Sequence, residues 1–249
     1  MVDLLFDYYS ISSKKRSPYH RYHAEKPIYQ TNASGANNRV IEEMKELMSY
    51  YRFIVKQRVK ALNHLESLTA KEGSTYVISV LKKRVISLKK KEQEILMQIK
   101  KIITKDDVLQ RGFEHIKSII GIGDVAAIAL LHLFMRYEGA NRAQIVSLTG
   151  LDPIERSSGT SVRSRMKISK AGDRIYRGTL FMSAMVAIRH NEEIKAFFER
   201  LKASGKHTTI VQIAVIRKLI VIAHSLYKNN NDYDPERHKI HSGHKVEAA

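Results

Sequence analysis

The fold of this chain is constrained most by two stretches in which apolar residues recur at spacings of three and four. They run through 47–68 and 78–102, and each holds one charged residue at a seam position, Arg58 in the first and Glu92 in the second. This spacing places a narrow apolar seam along each of two helices. The seam positions are Leu47, Tyr51, Ile54, Arg58, Ala61, Leu65 and Leu68, then Ile78, Leu81, Val85, Leu88, Glu92, Ile95, Ile99 and Ile102.

A short polar segment, residues 71–74, separates the two seams, and Gly73 within it suits the left-handed conformation that ends a helix. The sequence therefore predicts an antiparallel helical hairpin over residues 39–105. The spacing is typical of a coiled coil. The same spacing is expected whether the two seams pack on each other or pack against a second subunit. We expect a homo-oligomer formed through this coiled coil.

The rest of the chain predicts a compact helical domain between polar segments, so the expected fold class is mainly α. The most apolar segment, 209–227, is interrupted by Arg217 and Lys218, which indicates a buried helix rather than a membrane span. The predicted divisions are a remnant helix and connector at 1–38, the helical hairpin at 39–105, a carboxy-terminal domain at 106–228 with helices near 172–190, 192–203 and 208–228, and a disordered polar tail at 229–249.

The charge of the chain limits its partners. The 249 residues include 43 Lys and Arg against 25 Asp and Glu, a formal net charge of +18. Such an excess favours a polyanionic partner, either nucleic acid or an anionic membrane surface, although a merely soluble basic protein has the same composition. The absence of cysteine excludes disulfides and thiolate metal sites and is typical of a reducing cytoplasmic compartment.

A Gly121-Ile122-Gly123 turn lies between two apolar helical patterns, which is typical of a helix-hairpin-helix motif. Glycines let a turn approach a phosphate closely, and the free N–H groups at the start of the next helix point toward it. Such a contact would hold a DNA backbone without reading its sequence. A tight turn between helices with no ligand explains the same glycines. Asp124 is the expected cap of the second helix.

A strongly basic run follows between residues 155 and 177, with seven Lys and Arg against two acids. These cations cannot all find acidic partners nearby, so the run predicts contact with phosphates; a solvated basic surface is the alternative. Ser169 or Asp173 lies near the start of the following helix, where free N–H groups can also bind phosphate. The seven cations are Arg156, Arg163, Arg165, Lys167, Lys170, Arg174 and Arg177.

Four hydroxyl groups, those of Ser157, Ser158, Thr160 and Ser161, begin the basic run. A serine can attack phosphorus and form a phosphoserine link to DNA, which conserves the bond energy for rejoining. Nearby cations would stabilise the charged oxygens of the transition state. On spacing alone, a Ser-Gly loop without chemistry is the better explanation of this cluster.

Four segments in order, "SIIGIGDVAAIALL", "TGLDPIERSSGT", "ISKAGDRIYRGTL" and "RKLI", resemble the carboxy-terminal domain of the IS110 group of insertion-sequence transposases (the IS116/IS110/IS902 family). The resemblance covers about residues 113–227, and the preceding hairpin looks like the coiled coil of the same group. Complete members are RNA-guided DNA recombinases. The resemblance therefore implies DNA as a partner and a guide RNA as a further one.

The resemblance also implies a catalytic residue. In that group, a serine that precedes a glycine and follows a Leu-x-Pro step by five residues attacks the DNA. Here Leu151-Asp152-Pro153 is the step and Ser158, ahead of Gly159, is the matching serine, with Ser157 as its neighbour. Where the group usually has a second glycine, this chain has Thr160. The group's Lys-x-Gly-Asp element is matched by Lys170, Gly172 and Asp173.

Complete members of the group begin with a ribonuclease-H-like domain whose four acidic residues hold Mg²⁺. Residues 1–40 are too few for that domain, and "MVDLLFDYY" resembles its last helix. We therefore expect a truncated copy that carries no cofactor or metal of its own, with Mg²⁺ expected in the complete enzyme. Alone it should bind nucleic acid without recombining it. The alternative function is a non-catalytic nucleic-acid-binding module.

Overall fold

The computed structural model describes residues 35–154, 157–158, 162–163 and 167–236. Within these residues the chain is mainly helical, as predicted. The expected remnant helix at 1–9 lies outside them. The elements are α1 (Gly35–Ala70), α2 (Thr75–Ile103), α3 (Asp107–Lys117), α4 (Asp124–Arg136), α5 (Arg142–Leu148), β1 (Pro153–Ile154), β2 (Ser157–Ser158), β3 (Val162–Arg163), β4 (Lys167–Ile168), α6 (Arg174–His190), α7 (Glu192–Ala203) and α8 (Thr208–Asn229).

Helices α1 and α2 pack against each other through the predicted seams. Between residues 75 and 91 of α2, the seam positions are half-buried and every other residue is exposed. Helix α1 begins at Gly35, four residues earlier than the predicted boundary. The left-handed residue of the connecting turn is Glu72, with φ 51°, rather than Gly73. Gly73 instead lies against Leu68, whose side chain a Cβ at Gly73 would approach to 3.1 Å.

The two charged residues that interrupt the seams pair with each other. The Nε of Arg58 lies 2.6 Å from Oε1 of Glu92, and the two side chains are 27% and 10% exposed. Each residue alone would place a charge at an apolar contact, whereas together they neutralise each other and satisfy a hydrogen bond. The pair also requires that α1 and α2 face each other at these two positions.

Helix α8 forms the centre of the compact domain. It packs against α3, α4, α5, α6 and α7, and Val215, Leu219 and Ile220 are fully buried. Helix α8 is long and apolar enough to cross a membrane, and it is the one such helix among the described residues. Half of its most apolar window is buried in this structure. Its packing agrees with the prediction of a buried helix.

A buried histidine joins the helical hairpin to this domain. His132 on α4 is 2% exposed, with Nε2 3.1 Å from the Ile41 carbonyl oxygen on α1 and Nδ1 2.9 Å from the Tyr176 hydroxyl on α6. A carbonyl can only accept, so Nε2–H donates to Ile41 and Nδ1 accepts from Tyr176. Burial lowers the pKa of His132 to about 4, and the positive charge of Arg136 adds to this effect.

The segment after α8 is partly ordered, unlike the predicted tail. The backbone N–H of Tyr233 donates to the Ser118 hydroxyl at 2.8 Å, and the Tyr233 hydroxyl donates to Oδ1 of Asn191 at 3.2 Å. Asp232 lies 2.8 Å from the His115 ring. These contacts hold residues 232–233 against the domain. Residues 237–249 lie outside the described residues.

The Arg58–Glu92 pair predicts a non-additive mutational effect. Arg58→Leu leaves the Glu92 carboxylate buried without its partner, and we expect the free energy of unfolding to fall by about 1–3 kcal/mol. The double variant with Glu92→Leu completes the apolar seam and should recover most of that loss. Urea unfolding followed by circular dichroism, at one protein concentration, measures both. Equal destabilisation of the single and double variants would contradict the assignment.

The environment of His132 predicts a loss of stability in acid. Its folded pKa of about 4 lies below the ordinary 6.5, so the unfolded chain binds more protons between these values. The free energy of unfolding must therefore decrease as the pH falls from 6.5 toward 4, by about 2 kcal/mol at roughly pH 5 for this one group. His132→Gln removes the titration, so urea unfolding of this variant should depend less on pH. The pKa of His224 is lowered in the same direction by burial, so His224 contributes to the dependence that remains in the variant. An unchanged pH dependence in His132→Gln would refute this account.

Candidate nucleic-acid interface

The basic run folds as two nested pairs of antiparallel strands, where the sequence predicted a loop. In the outer pair, β1 and β4 place Pro153 opposite Ile168. In the inner pair, β2 and β3 place Ser157 opposite Arg163 and Ser158 opposite Val162. We call residues 150–172, which include both pairs, the β-arm. Strands of two residues are too short to give an alternating pattern, which is why the sequence did not reveal them.

Backbone hydrogen bonds continue the outer pair down to the base of the β-arm. The N–H of Ser169 donates to the carbonyl of Asp152 at 2.9 Å, and that of Lys170 donates to Gly150 at 3.0 Å. The Ser169 hydroxyl also donates to the Asp152 carboxylate. Leu151, between these contacts, is 1% exposed and belongs to the hydrophobic core. The base of the β-arm is therefore fixed to the domain.

Two glycines permit the chain to close at this base. Gly150 has a φ of 69°, the left-handed region that other residues rarely adopt. A Cβ at Gly172 would lie 1.9 Å from the Leu148 carbonyl oxygen, so no larger residue fits there without displacing the end of α5. Lys170 adopts a left-handed conformation as well, with φ 56°. Glycine is therefore favoured at Gly150 by the left-handed conformation, and it is required at Gly172 by the close approach of the Leu148 backbone.

One guanidinium joins the two ends of the β-arm. Nη1 of Arg177 donates to the carbonyl of Thr149 at 2.8 Å and to that of Gly172 at 2.7 Å. Arg177 is 9% exposed. This location corrects the prediction that Arg177 contacts phosphate, because a buried group committed to backbone carbonyls is a positioning group. The signal was in the sequence, since Arg177 is in phase with the buried Leu180 and Ala184 of α6.

The other predicted cations are distributed differently. Lys167 and Lys170 are exposed, and Arg174 is half-buried at the first position of α6. The Asp173 carboxylate caps α6 by accepting from the N–H of Ile175 at 2.9 Å. The remaining predicted site residues have no described side chain: Arg156 and Arg165 lie wholly outside the described residues, and for Ser158 and Arg163 the description covers the backbone of β2 and β3.

The Gly121-Ile122-Gly123 turn is explained largely by packing. Gly121 has a φ of 103°, and a Cβ there would lie 2.6–2.7 Å from atoms of Ala187 on α6. Gly123 caps α4 and has open space around it. The cap is therefore Gly123, not Asp124 as predicted. Gly121 lets two helices approach, while Gly123 alone is free to approach a ligand.

An acidic side chain already occupies the start of α4. The Asp124 carboxylate lies 2.6 Å from Nζ of Lys100 and 2.9 Å from Nζ of Lys117. The hydrogen bond from Lys100 is the largest cause that lowers the pKa of Asp124, and the hydrogen bond from Lys117 acts in the same direction. A helix amino terminus favours an anion, and here Asp124 supplies it. This arrangement favours the packing interpretation of the glycine turn over phosphate binding.

The described residues do not fit a Mg²⁺ site. Across 35–154 and the described parts of 157–236, no group of three His, Asp or Glu residues lies close enough together to hold a metal ion. We therefore assign no chemical step in this part of the chain to a metal.

Comparison with known proteins identifies the segment that carries the β-arm. Residues 113–199 match the family model described as Transposase IS116/IS110/IS902 family. Over these residues, about a third of its length, the chain is similar to transposases of the IS116/IS110/IS902 family. The matched transposase domain spans the end of α3, the glycine turn, α4, α5, the whole β-arm, α6 and most of α7. The helical hairpin lies outside the match.

Parts of the chain are also similar to curated proteins, among them gene-inverting proteins and proteins of insertion elements. The "Pilin gene-inverting protein" of Moraxella lacunata and that of Moraxella bovis are each 29% identical over 96 residues, 38% of this chain and 30% of theirs. The "Insertion element IS110 uncharacterized 43.6 kDa protein" of Streptomyces coelicolor is 25% identical over 118 residues, 47% of this chain and 29% of its own length. The chain thus matches less than a third of the length of each of these relatives.

The Arg177 contacts predict that its loss loosens the β-arm. Arg177→Gln removes the bridge between two carbonyls, and we expect the free energy of unfolding to fall by about 1–3 kcal/mol. Trypsin under native conditions should cut faster after Lys167 and Lys170, with mass spectrometry reporting the sites. Arg174→Gln, three residues earlier on the same helix, is the matched control. If the two variants were cleaved at the same rate, Arg177 would not hold the base.

Proposed function

We propose that this chain is the DNA-joining part of an insertion-sequence transposase, in which the β-arm brings Ser158 to a phosphate of the DNA. The observation that carries the proposal is the family match at 113–199, because it contains the whole β-arm. The serine pattern supports it: Leu151-Asp152-Pro153 precedes Ser158 by the spacing that the resemblance requires. The basic character of the β-arm supports a nucleic-acid substrate.

In the proposed reaction the Ser158 oxygen attacks phosphorus, an Oγ–P bond forms, and the bond from phosphorus to one DNA oxygen breaks. The proton that the Ser158 hydroxyl loses is balanced by the proton that the departing DNA oxygen takes up to become a hydroxyl. The phosphoserine diester keeps the energy of the broken bond for rejoining to a second DNA end. Arg163, Lys167 and Lys170 are the cations that would stabilise charge on the phosphate oxygens. Arg156 and Arg165 are further candidates, and Arg177 would act indirectly by fixing the base of the β-arm.

The complete enzyme is expected to use Mg²⁺, as the resemblance implies. Bound Mg²⁺ would supply Lewis-acid stabilisation of phosphate oxygens. Its ligands are not provided by the described residues of this chain. We therefore propose that this chain binds DNA alone but requires a separate acidic domain for recombination.

The partners follow from the same proposal. DNA is the substrate, a guide RNA is a further partner implied by the resemblance, and a reducing cytoplasm is the expected location. A homo-oligomer through the helical hairpin is supported by the seam itself. Leu65, Leu68, Leu81 and Val85 remain half-buried where α1 and α2 meet, so a second copy can cover them further.

Substitution of the proposed nucleophile tests the reaction. The chain is mixed with the amino-terminal acidic domain of a full-length relative, Mg²⁺ and labelled DNA from an element end, and covalent protein–DNA complexes are resolved on a denaturing gel. Ser158→Ala should abolish the covalent complex because it lacks the attacking oxygen, while noncovalent DNA binding persists. Ser157→Ala, one residue earlier in β2, is the matched control and should react.

The outcomes separate the candidate functions. A covalent complex that survives Ser158→Ala but not Ser157→Ala would move the nucleophile by one residue. A complex that survives both, or recombination that is undiminished in Ser158→Ala, would favour the non-catalytic nucleic-acid-binding module. Strand transfer by the chain alone would contradict the requirement for an acidic domain.

A further inference from the structure

The helical hairpin carries a second concentration of positive charge, outside the matched transposase domain. Between residues 55 and 91 there are ten Lys and Arg against two Glu. Six of the cations form two triplets in α2, at 82–84 and 89–91, and all six are exposed. Among these six, Lys91 is the one with an ion pair to a described residue, Glu94 at 3.1 Å. The charge is therefore not explained by pairing within the hairpin.

The two triplets form three rows along α2. They are seven residues apart, which is two helical turns or about 10.5 Å, so each row repeats at the same side of the helix. Successive residues turn by about 100°. Lys83 and Lys90 thus lie opposite the seam, and the rows that begin at Lys82 and Arg84 flank it. The cations therefore lie along the centre and both flanks of the exposed face of α2, with the exposed Ile86 and Ser87 between the two triplets.

From this arrangement we infer that the outer face of α2 binds the phosphate backbone of a DNA duplex, independently of sequence and of the chemistry at Ser158. A duplex presents two phosphate strands on either side of a groove, which matches a rigid helix with cations on three sides. The ammonium and guanidinium groups contact phosphates only, so they position DNA without reading bases.

Other occupants fit this face less well. An anionic membrane requires a broad apolar face beside the cations. The exposed large apolar residues of α2 are instead spread along the helix, at Tyr76, Val77, Val80, Ile86 and Met97, and of these Ile86 alone lies between the two triplets. A second copy packed against this outer face with its own outer face would bring the same cations together, with like-charge repulsion instead of attraction; the proposed homo-oligomer uses the seam instead. DNA also continues the ligand proposed for the β-arm. The face thus extends contact with DNA beyond the transposase domain.

The test compares two variants of equal charge. In the first, Lys82, Lys83, Lys89 and Lys90 are changed to Gln, a good helix former at exposed positions. In the second, the exposed Lys105, Lys195, Lys206 and Lys228 are changed to Gln. Fluorescence anisotropy measures binding of the full chain to a labelled DNA duplex of arbitrary sequence at several salt concentrations, after circular dichroism has shown equal helix content.

We expect the first variant to lower the slope of log affinity against log salt by about two to four units, because each phosphate contact contributes about 0.9. Its affinity at about 0.15 M salt should fall by roughly tenfold or more. The second variant should change both much less. Equal effects of the two variants, or no effect of the first, would overturn the inference. The inference would also be overturned if the first variant lost binding to duplex RNA but kept its binding to DNA. The same holds if sedimentation showed that the first variant changed only the oligomeric state.

The measurement also separates this inference from the proposed reaction. Ser158→Ala should bind the duplex as the wild type does. If the wild-type chain binds DNA through α2 but no covalent complex forms with the acidic domain present, the proposed function fails while the inference stands. If the covalent complex forms and the α2 variant keeps wild-type affinity and slope, the inference fails alone.

Discussion

The structure of the β-arm depends on one buried guanidinium that holds two backbone carbonyls together. The β-arm contains too few backbone pairs to be stable alone, because isolated hairpins are marginal in water. Arg177 joins its ends at Thr149 and Gly172, and Gly172 can approach Leu148 because it has no side chain. The arginine is thus a charged group used for its geometry: a planar donor, always protonated, that reaches two acceptors from inside the domain.

The helical hairpin is attached to the domain by contacts of a different kind. Ile41 and Met44 on α1 are buried near the domain, whereas the seam near the turn between α1 and α2 is half-buried. His132 accepts from Tyr176 and donates to the Ile41 carbonyl, so its neutral form orients α1, α4 and α6 together. Tyr176 precedes Arg177 by one residue on α6. The same turn of α6 therefore fixes both the helical hairpin and the base of the β-arm, which gives the two basic elements a common rigid support.

The sequence predicted the elements that repeat and missed those that depend on a single long-range neighbour. The two long helices of the hairpin and the limits of α7 follow from local patterns, and the structure contains these helices. Arg58 and Glu92 looked like two defects because the distance between helices is not visible in a sequence. Arg177 looked like a phosphate ligand because charge usually means exposure. Gly121 resembled a phosphate-binding turn because its neighbour, Ala187, lies 66 residues away in the chain.

The distribution of charge explains how so basic a chain keeps a folded core. Repulsion among like charges destabilises a compact state, and this effect grows when cations are close together. Here the two densest groups of cations lie on α2 and on the β-arm. An apolar seam attaches α2 to α1, and a set of backbone hydrogen bonds attaches the β-arm to the domain. Most of these contacts are uncharged, so neighbouring positive charge weakens them little; the charged exceptions are the Arg58–Glu92 pair in the seam and the Arg177 guanidinium at the base of the β-arm. Repulsion between cations therefore acts at surfaces that a polyanion can neutralise. The core formed by α8 and its neighbours is stabilised by apolar packing.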